Sequence, residues 1–378
     1  MPWQEQSIVE QRAAFIATAL AEGANRRAVC RAFGISPTTG YKWLARSVEG
    51  TLCDRSRRPH RSPGASPPEL VEAVLAVRLA HPVWGGRKIH HYLRQREVAA
   101  PHPNTITDIL RRHGLVDPLD SQQHRPFIRF EHAYANALWQ MDFKGHFAVG
   151  TARCHPLTVV DDHSRFATVL QACADQRRET VVPHLTAAFR HYGLPERMLM
   201  DNGPPWCTDQ GHRHTELTVW LMRLGIAPCH GRPYHPQTQG KNERFNRTLK
   251  AEVLRERRFD SLAMVQTVFD HWRDLYNHDR PHQSLDDRPP ARRFQPSPRQ
   301  FPEHLPPIEY PAGSCVRRVQ RVQRDGRISF AARQIFLSRA LQGQPVALIP
   351  SGSDGCLSVL YCSFHVAVID LRDYTQTQ

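Results

Sequence analysis

The sequence predicts a multidomain chain with α-helical helix-turn-helix modules first, an α/β layer in the middle and a small β domain last. Three observations predict it. The 378 residues exceed what one ordinary hydrophobic core organises. Apolar residues recur at helical spacing before Asp117 and at strand spacing beyond Leu138. Two Pro-rich stretches, CDRSRRPHRSPGASPP and RPPARRFQPSPRQFPEHLPP, separate the segments and are hostile to helix and strand alike. The expected divisions are residues 1–52, a basic Pro-rich linker at 53–66, then 67–117, 133–295 and 310–378.

Residues 7–47 open with the apolar-periodic run IVEQRAAFIATAL, followed by NRRAVCRAF, a turn at Gly34-Ile35, and SPTTGYKWLARS. Ser36 then Pro37 is a good N-cap and first-turn pair for a new helix. Two helices joined by a short Gly-containing turn form a helix-turn-helix unit. In its second helix Tyr41 and Leu44 are expected to pack inward. Thr38, Thr39, Lys42 and Arg46 are expected to face outward, where a DNA major groove receives such residues. A second helical unit follows, with PELVEAVLAVRLA, GRKIHHYLRQRE and NTITDILRRHG ending at the helix stop Gly114.

The middle segment changes texture. WQMDFKGHFAV, HPLTVVDDHSRFATVLQA and RMLMDNG read as short strands, while ETVVPHLTAAFRHYG and TELTVWLMRLG read as helices. Near the C-terminus, RVQRDGRISF carries an Asp325-Gly326 hairpin signal, and QPVALIP and VAVIDLRD read as further strands. A small basic β-barrel is expected over residues 314–372.

Fifty Lys+Arg against 36 Asp+Glu give a net charge of +14, which favours a polyanionic partner. No apolar run approaches the roughly 20 residues that span a bilayer, so double-stranded DNA is expected rather than a membrane. MPWQEQSIVE has no charged-then-apolar signal pattern, and the nine scattered cysteines include no CxxC pair. Both fit a cytoplasmic protein. Cys207, His212, His214 and Cys229 could be drawn as a zinc site, but their spacing matches no common pattern and surface loop residues are the better reading.

Three acids stand out by position. Asp142 lies within the strand WQMDFKG, Asp201 ends the strand RMLMD, and Glu243 sits near the start of a helix in RPYHPQTQGKNERFNRTLK. A lone buried carboxylate is costly unless it is paired or metal-bound. Converging acids relieve this by sharing Mg²⁺, a hard cation that takes carboxylate and phosphate oxygens. If NERFNRTLKAEV is a helix, Phe245, Leu249 and Val253 form its apolar stripe and Glu243, Arg247 and Lys250 share the opposite face. The acid would bind metal while the two cations hold DNA. The plain alternative is a wet Glu–Arg pair worth about 0.3–0.5 kcal/mol.

WQMDFKG, VVDDHSR, DNGPPW, RPYHPQTQGKNERFNRTLK and YNHDRPHQSL, in that order, resemble the integrase-type core of bacterial insertion-sequence transposases. The resemblance covers about residues 133–295 and implies an RNase H-like fold. It implies a DDE triad of Asp142, Asp201 and Glu243 as both catalytic and metal-binding residues, using Mg²⁺ (or Mn²⁺), two ions per active site. It further implies a transposase that binds the terminal inverted repeats of its element, hydrolyses a phosphodiester at each end and transfers the 3′-OH into target DNA. Homodimers or higher assemblies on DNA, nucleoid-associated in a bacterial cell, are then expected. Asp161 and Asp162 match no triad position and read as structural, with Asp162 and Arg165 as a pair. His235, Trp139 and Trp206 read as packing residues. The alternative from another class is a non-catalytic DNA-binding regulator that keeps the fold, and intact acids argue against it.

Overall fold

The computed structural model describes residues 7–55, 65–116, 131–203, 206–207, 214–231, 240–255, 257–311, 315–331, 333–351 and 355–372. They fall into two compact units, residues 1–65 and residues 66–378. His235, His212 and most of the basic linker lie outside the described residues.

The first unit holds three helices, α1 (Ile8–Ala19), α2 (Arg26–Ala32) and α3 (Pro37–Val48). Ser7 and Glu10 form a reciprocal capping box at the start of α1, and Ser36 accepts from Thr39 N at the start of α3. Each such cap stabilises its helix by about 1 kcal/mol. Phe15, Ala19, Cys30 and Trp43 make the core. Gly40 lies against the Cys30 thiol and the Phe15 ring, close enough that a methyl group there would collide. Trp43 and Gly40, three apart on α3, therefore face inward, and Tyr41 is 49% exposed, contrary to the sequence expectation. The apolar bulk of Trp43 outcompetes Tyr41 for the small core, because Gly40 lets the helix approach only on that side. Leu44 packs against the same core as expected.

In the second unit α4 (Pro68–Ala80), α5 (Gly86–Gln95) and α6 (Pro103–Arg112) enclose Val74, Trp84, Ile89, Leu93, Ile106 and Ile109. The α/β layer follows. Its strands are β1 (Trp139–Phe143), β2 (Phe147–Val149), β3 (Ala152–Asp161), β4 (Ala167–Cys173), β5 (Arg197–Met200) and β6 (Ala227–His230). β3 pairs antiparallel with β1, β2 and β4, whereas β1–β5 and β5–β6 are parallel. Helices α7 (Arg178–Tyr192) and α8 (Glu216–Arg223) cover one face of the sheet. Helices α9 (Gly240–Leu249) and α10 (Leu262–His278) cover the other. Burial on both faces fits the run Leu157–Val160 of β3, every residue of which is buried.

Phe245, Leu249 and Val253 are buried as the expected stripe. The helix does not continue regularly, however: residues Lys250–Leu254 form a π-helical turn. The C-terminal domain contains β7 (Arg318–Arg321), β8 (Arg327–Phe330), β9 (Arg333–Phe336), β10 (Pro345–Pro350), β11 (Cys356–Tyr361) and β12 (Phe364–Asp370). They make a four-stranded sheet in the order β12-β11-β10-β7 and a separate β8–β9 ribbon. Closure into a barrel is not among the pairings of the described residues. Asp325-Gly326 does make a turn, with Gly326 at φ +84°, but β8 then hairpins with β9 rather than with β7. Val219 and Met222 of α8 join this domain's apolar core, so it is seated on the α/β layer. Among the described residues no helix is long and apolar enough to cross a membrane.

Candidate active site

The site begins with the two-residue period of β1. Trp139 and Met141 enter the core beneath α7 and α8. Gln140 and Asp142 consequently point to the other face, toward α9. Parallel pairing sets Trp139 beside Met198 and Gln140 beside Leu199. Continued for two residues, that register carries Asp142 level with Asp201, which follows the last residue of β5. Parallel neighbours end at the same edge of the sheet, the usual place for ligands in α/β layers.

Helix α9 brings the third acid to this edge, and two asparagines dock it there. Asn242 and Asn246, at i and i+4, are buried on one face. Asn242 donates its amide N–H to Gln140 Oε1 at 3.2 Å and accepts from Thr158 Oγ1 at 3.0 Å. Asn246 Nδ2 donates to Asp142 Oδ2 at 3.0 Å, and its own Oδ1 is buried without a partner. Glu243 is adjacent to Asn242 in the chain and three residues before Asn246, so docking this face fixes where Glu243 emerges. Its carboxylate is exposed, as are Arg247 and Lys250 on the same side of the helix.

Asp142 is half-buried, and its pKa is pushed up to about 6. Burial is the largest cause, followed by the negative charge of Asp201; Glu243 adds to it, while Asn246 opposes it. Asp142 therefore feels the charge of both other acids. Among the described residues, no group of three His, Cys, Asp or Glu side chains is drawn close enough to hold a metal ion. The donor chemistry nevertheless fits a hard divalent cation: carboxylate oxygens, one of them destabilised as an anion by its neighbours, beside an unpartnered amide oxygen. Lys144, immediately beyond β1, has its pKa lowered by burial and by Lys250, with Asp142 acting in the opposite sense. Two ammonium groups thus border the acids.

Asp161 and Asp162 have other work. Asp161 accepts from Asn136 N, Ser164 N and Ser164 Oγ at the end of β3. Asp162 accepts from Gln140 Nε2 and His132 N and pairs with Lys241. The expected Asp162–Arg165 pair does not form: Arg165 reaches Glu131 at 2.6 Å instead. Arg165 sits at φ +65°, in the left-handed region. Trp139 and Trp206 are buried, as packing residues should be. Cys207 is also buried, against expectation, with Sγ 3.4 Å from His230 Nδ1, while His214 bonds the Val366 carbonyl. The mixed surroundings, sheet edge and C-terminal domain, pull these residues out of a loop surface.

On α3, Thr38 and Lys42 are exposed. Thr39 is only half-exposed, with its hydroxyl on Ser36, and half-exposed Arg46 lies 4.9 Å from the Trp43 ring centre. Sequence reasoning missed Asn242, Asn246, Gln140 and Lys144. The available signal was a pair of asparagines at i and i+4, poor helix formers, flanking the apolar stripe of α9.

Several segments of the chain are similar to known proteins. Integrase core domain families match residues 132–236 and 224–290, and homeodomain-like domains match residues 9–55 and 39–110. The C-terminal domain of the IS481 family transposases matches residues 317–377. Separate segments of the chain thus match homeodomain-like and integrase core domain families. More narrowly, it resembles an insertion-sequence transposase with an integrase-like core. It is 27% identical over 240 residues to an insertion element IS476 protein of 39.2 kDa from Xanthomonas euvesicatoria, covering 61% of this chain and 66% of that one. It is 28% identical over 230 residues to an insertion element IS407 protein of 31.7 kDa from Burkholderia multivorans, covering 58% and 79%. A simian T-cell lymphotropic virus intasome chain aligns with a TM-score of 0.39 and 14% identity, over 79% of this chain and 96% of that one. The HTLV-2 integrase catalytic core in complex with magnesium aligns with a TM-score of 0.32 and 13% identity, over 43% and 97%.

Proposed function

We propose that this chain is an active DDE transposase, a polynucleotidyl transferase with an endonuclease step. Residues 1–52 and 67–117 bind the terminal inverted repeats, residues 133–295 cut and join DNA, and residues 310–378 grip flanking or target DNA. The observation that carries the reading is the convergence at one sheet edge: the β1–β5 register levels Asp142 with Asp201, and the asparagine face of α9 delivers Glu243.

Asp142, Asp201 and Glu243 would hold Mg²⁺ or Mn²⁺. When bound, such ions activate an attacking oxygen and stabilise a leaving one. Arg247, Lys250 and Lys144 attract the phosphate backbone to the acids and partly offset their mutual repulsion. Asn246 holds one oxygen of Asp142. No side chain of the chain needs to act as a covalent nucleophile, because water and then a DNA 3′-OH serve in turn. Thr38, Lys42 and the guanidinium of Arg46 face DNA from α3, and exposed Tyr41 joins them. Two ends are joined in one event, which calls for a dimer or larger assembly on DNA, in the bacterial cytoplasm.

The experiment is strand joining in Mg²⁺ or Mn²⁺ with duplexes taken from either side of this gene, alongside binding on the same samples. Joining by wild type and not by Glu243→Gln, with equal binding by both, supports the reading. Binding by both with joining by neither moves the chain to the non-catalytic regulator.

A further inference from the structure

The second helical module is held to the α/β layer by an ionic seam that the catalytic reading does not use. Arg87, Lys88, His91 and Gln95 lie along one side of α5. Arg87 and His91 reach Asp287 Oδ2 at 3.6 and 3.2 Å, and Gln95 Nε2 donates to the Asp287 carbonyl. Arg96, just past the helix, pairs with Asp279 at 3.0 Å. Lys88 Nζ stands 3.8 Å from Glu252 Oε1. Leu275 of α10 packs into the apolar cores on both sides, so the seam has a dry centre.

Glu252 is the centre of the seam. Its side chain is only 7% exposed and is held by Arg280 at 2.8 Å and by Trp272 Nε1 at 3.0 Å. It belongs to the π-helical turn that directly continues α9, the helix of Glu243 and Asn246. Such turns are strained insertions that persist where their surroundings hold them. Arg280 comes from YNHDRPHQSL, the motif for which the proposed reaction has no direct use. Burial lowers the Lys88 pKa to about 8, as befits an ammonium enclosed in this seam.

On the charged side of α5, Lys88 and His91 are half-buried against protein, while Arg87 and Gln95 keep an exposed flank. Asn104, Asp108, Arg111 and Arg112 of α6 are exposed.

We infer that α5 is a docking helix, and that Lys88 and Glu252 are positioning residues for the helix bearing Glu243. This rests on the proposed function for its catalytic consequence, though not for its structural one. The helical module is thereby held against the helix of the third acid by packed side chains.

The test uses the full chain with Lys88→Met, which removes the charge and keeps the apolar stem while leaving Glu252 paired with Arg280. A second variant, Asp287→Asn, loosens the other half of the seam; its backbone at φ +57° is one that asparagine tolerates. Amide hydrogen exchange over residues 240–255 is read on the free protein, and binding and joining on the flanking duplexes. The expected result is exchange faster by roughly tenfold, joining lower by a similar factor, and binding within about twofold of wild type. Lys88→Arg restores all three. Unchanged exchange in both variants overturns the inference, whatever joining does. Lost binding with unchanged exchange also overturns it and makes α5 a DNA contact. If wild type joins no DNA, the proposed function fails, and the exchange result still decides the seam.

Discussion

The substitution Asp142→Asn should stabilise the metal-free protein at high pH and leave it unchanged at low pH. The structure raises this carboxyl from the ordinary 3.8 to about 6, mainly by burial and by the charge of Asp201. Between those values the folded chain keeps a proton that the unfolded chain has released. Stability therefore falls as pH rises through that window and is level above it. At about 1.4 kcal/mol per pKa unit the ceiling is about 3 kcal/mol. Partial exposure and solvent screening reduce it to about 1–2 kcal/mol. The asparagine would keep the shape of the side chain and an acceptor for Asn246 Nδ2, so little is lost in exchange. The assay is urea unfolding of both proteins in EDTA at pH 4 and pH 8, then at pH 8 with Mg²⁺. The variant should exceed wild type by about 1–2 kcal/mol at pH 8 and match it at pH 4. Mg²⁺ should raise wild type and not the variant, since bound metal stabilises the folded state alone. A variant less stable than wild type at pH 8, or a gap equal at both pH values, would refute the account of Asp142 as an anion destabilised by its neighbours.

Other changes probe other parts of the site. Glu243→Gln should abolish strand joining, by a factor of at least about 1,000, with binding to flanking duplexes nearly unchanged; a gel assay of both decides it. Asn246→Ala removes the donor on Asp142 Oδ2, so the variant's Asp142, followed by NMR titration in EDTA, should titrate above the wild-type pH. A lower or equal midpoint would show that the bond does not form in solution. Lys42→Ala should weaken DNA binding severalfold and reduce the salt dependence by about one counterion, and equal binding would displace α3 from its groove. At Gly86 an added methyl would strike the Pro103 carbonyl and Thr107 Oγ1 of α6, so Gly86→Ala should lower the melting temperature by several degrees, as core overpacking of about 1–3 kcal/mol does.

Local chemistry made much of this protein legible before any coordinates. Ser36-Pro37 started α3 where a cap and a proline belong, and Gly114 lies just beyond the end of α6. The apolar stripe of Phe245, Leu249 and Val253 marked the buried side of α9 because a helix brings residues three and four apart onto one face. Asp142 and Asp201 stood out at strand positions, whereas Glu243 taken alone read as a wet Glu–Arg pair, and only the resemblance of the ordered motifs joined the three. Tertiary structure decided what such local rules do not contain. Trp43 took the small core in place of Tyr41 because Gly40 opened that side alone. Arg165 turned to Glu131, and Asp162 to Lys241 and His132, because partners distant in sequence were nearer in space. The π turn at Lys250–Leu254, the seam from α5 and the pairing of Asn246 with Asp142 each depend on segments far apart along the chain. A sequence reports which residues prefer a helix or a core, since those preferences act within a few residues. Which buried polar group meets which depends on how whole elements pack, and each such group must find its partner there or remain costly.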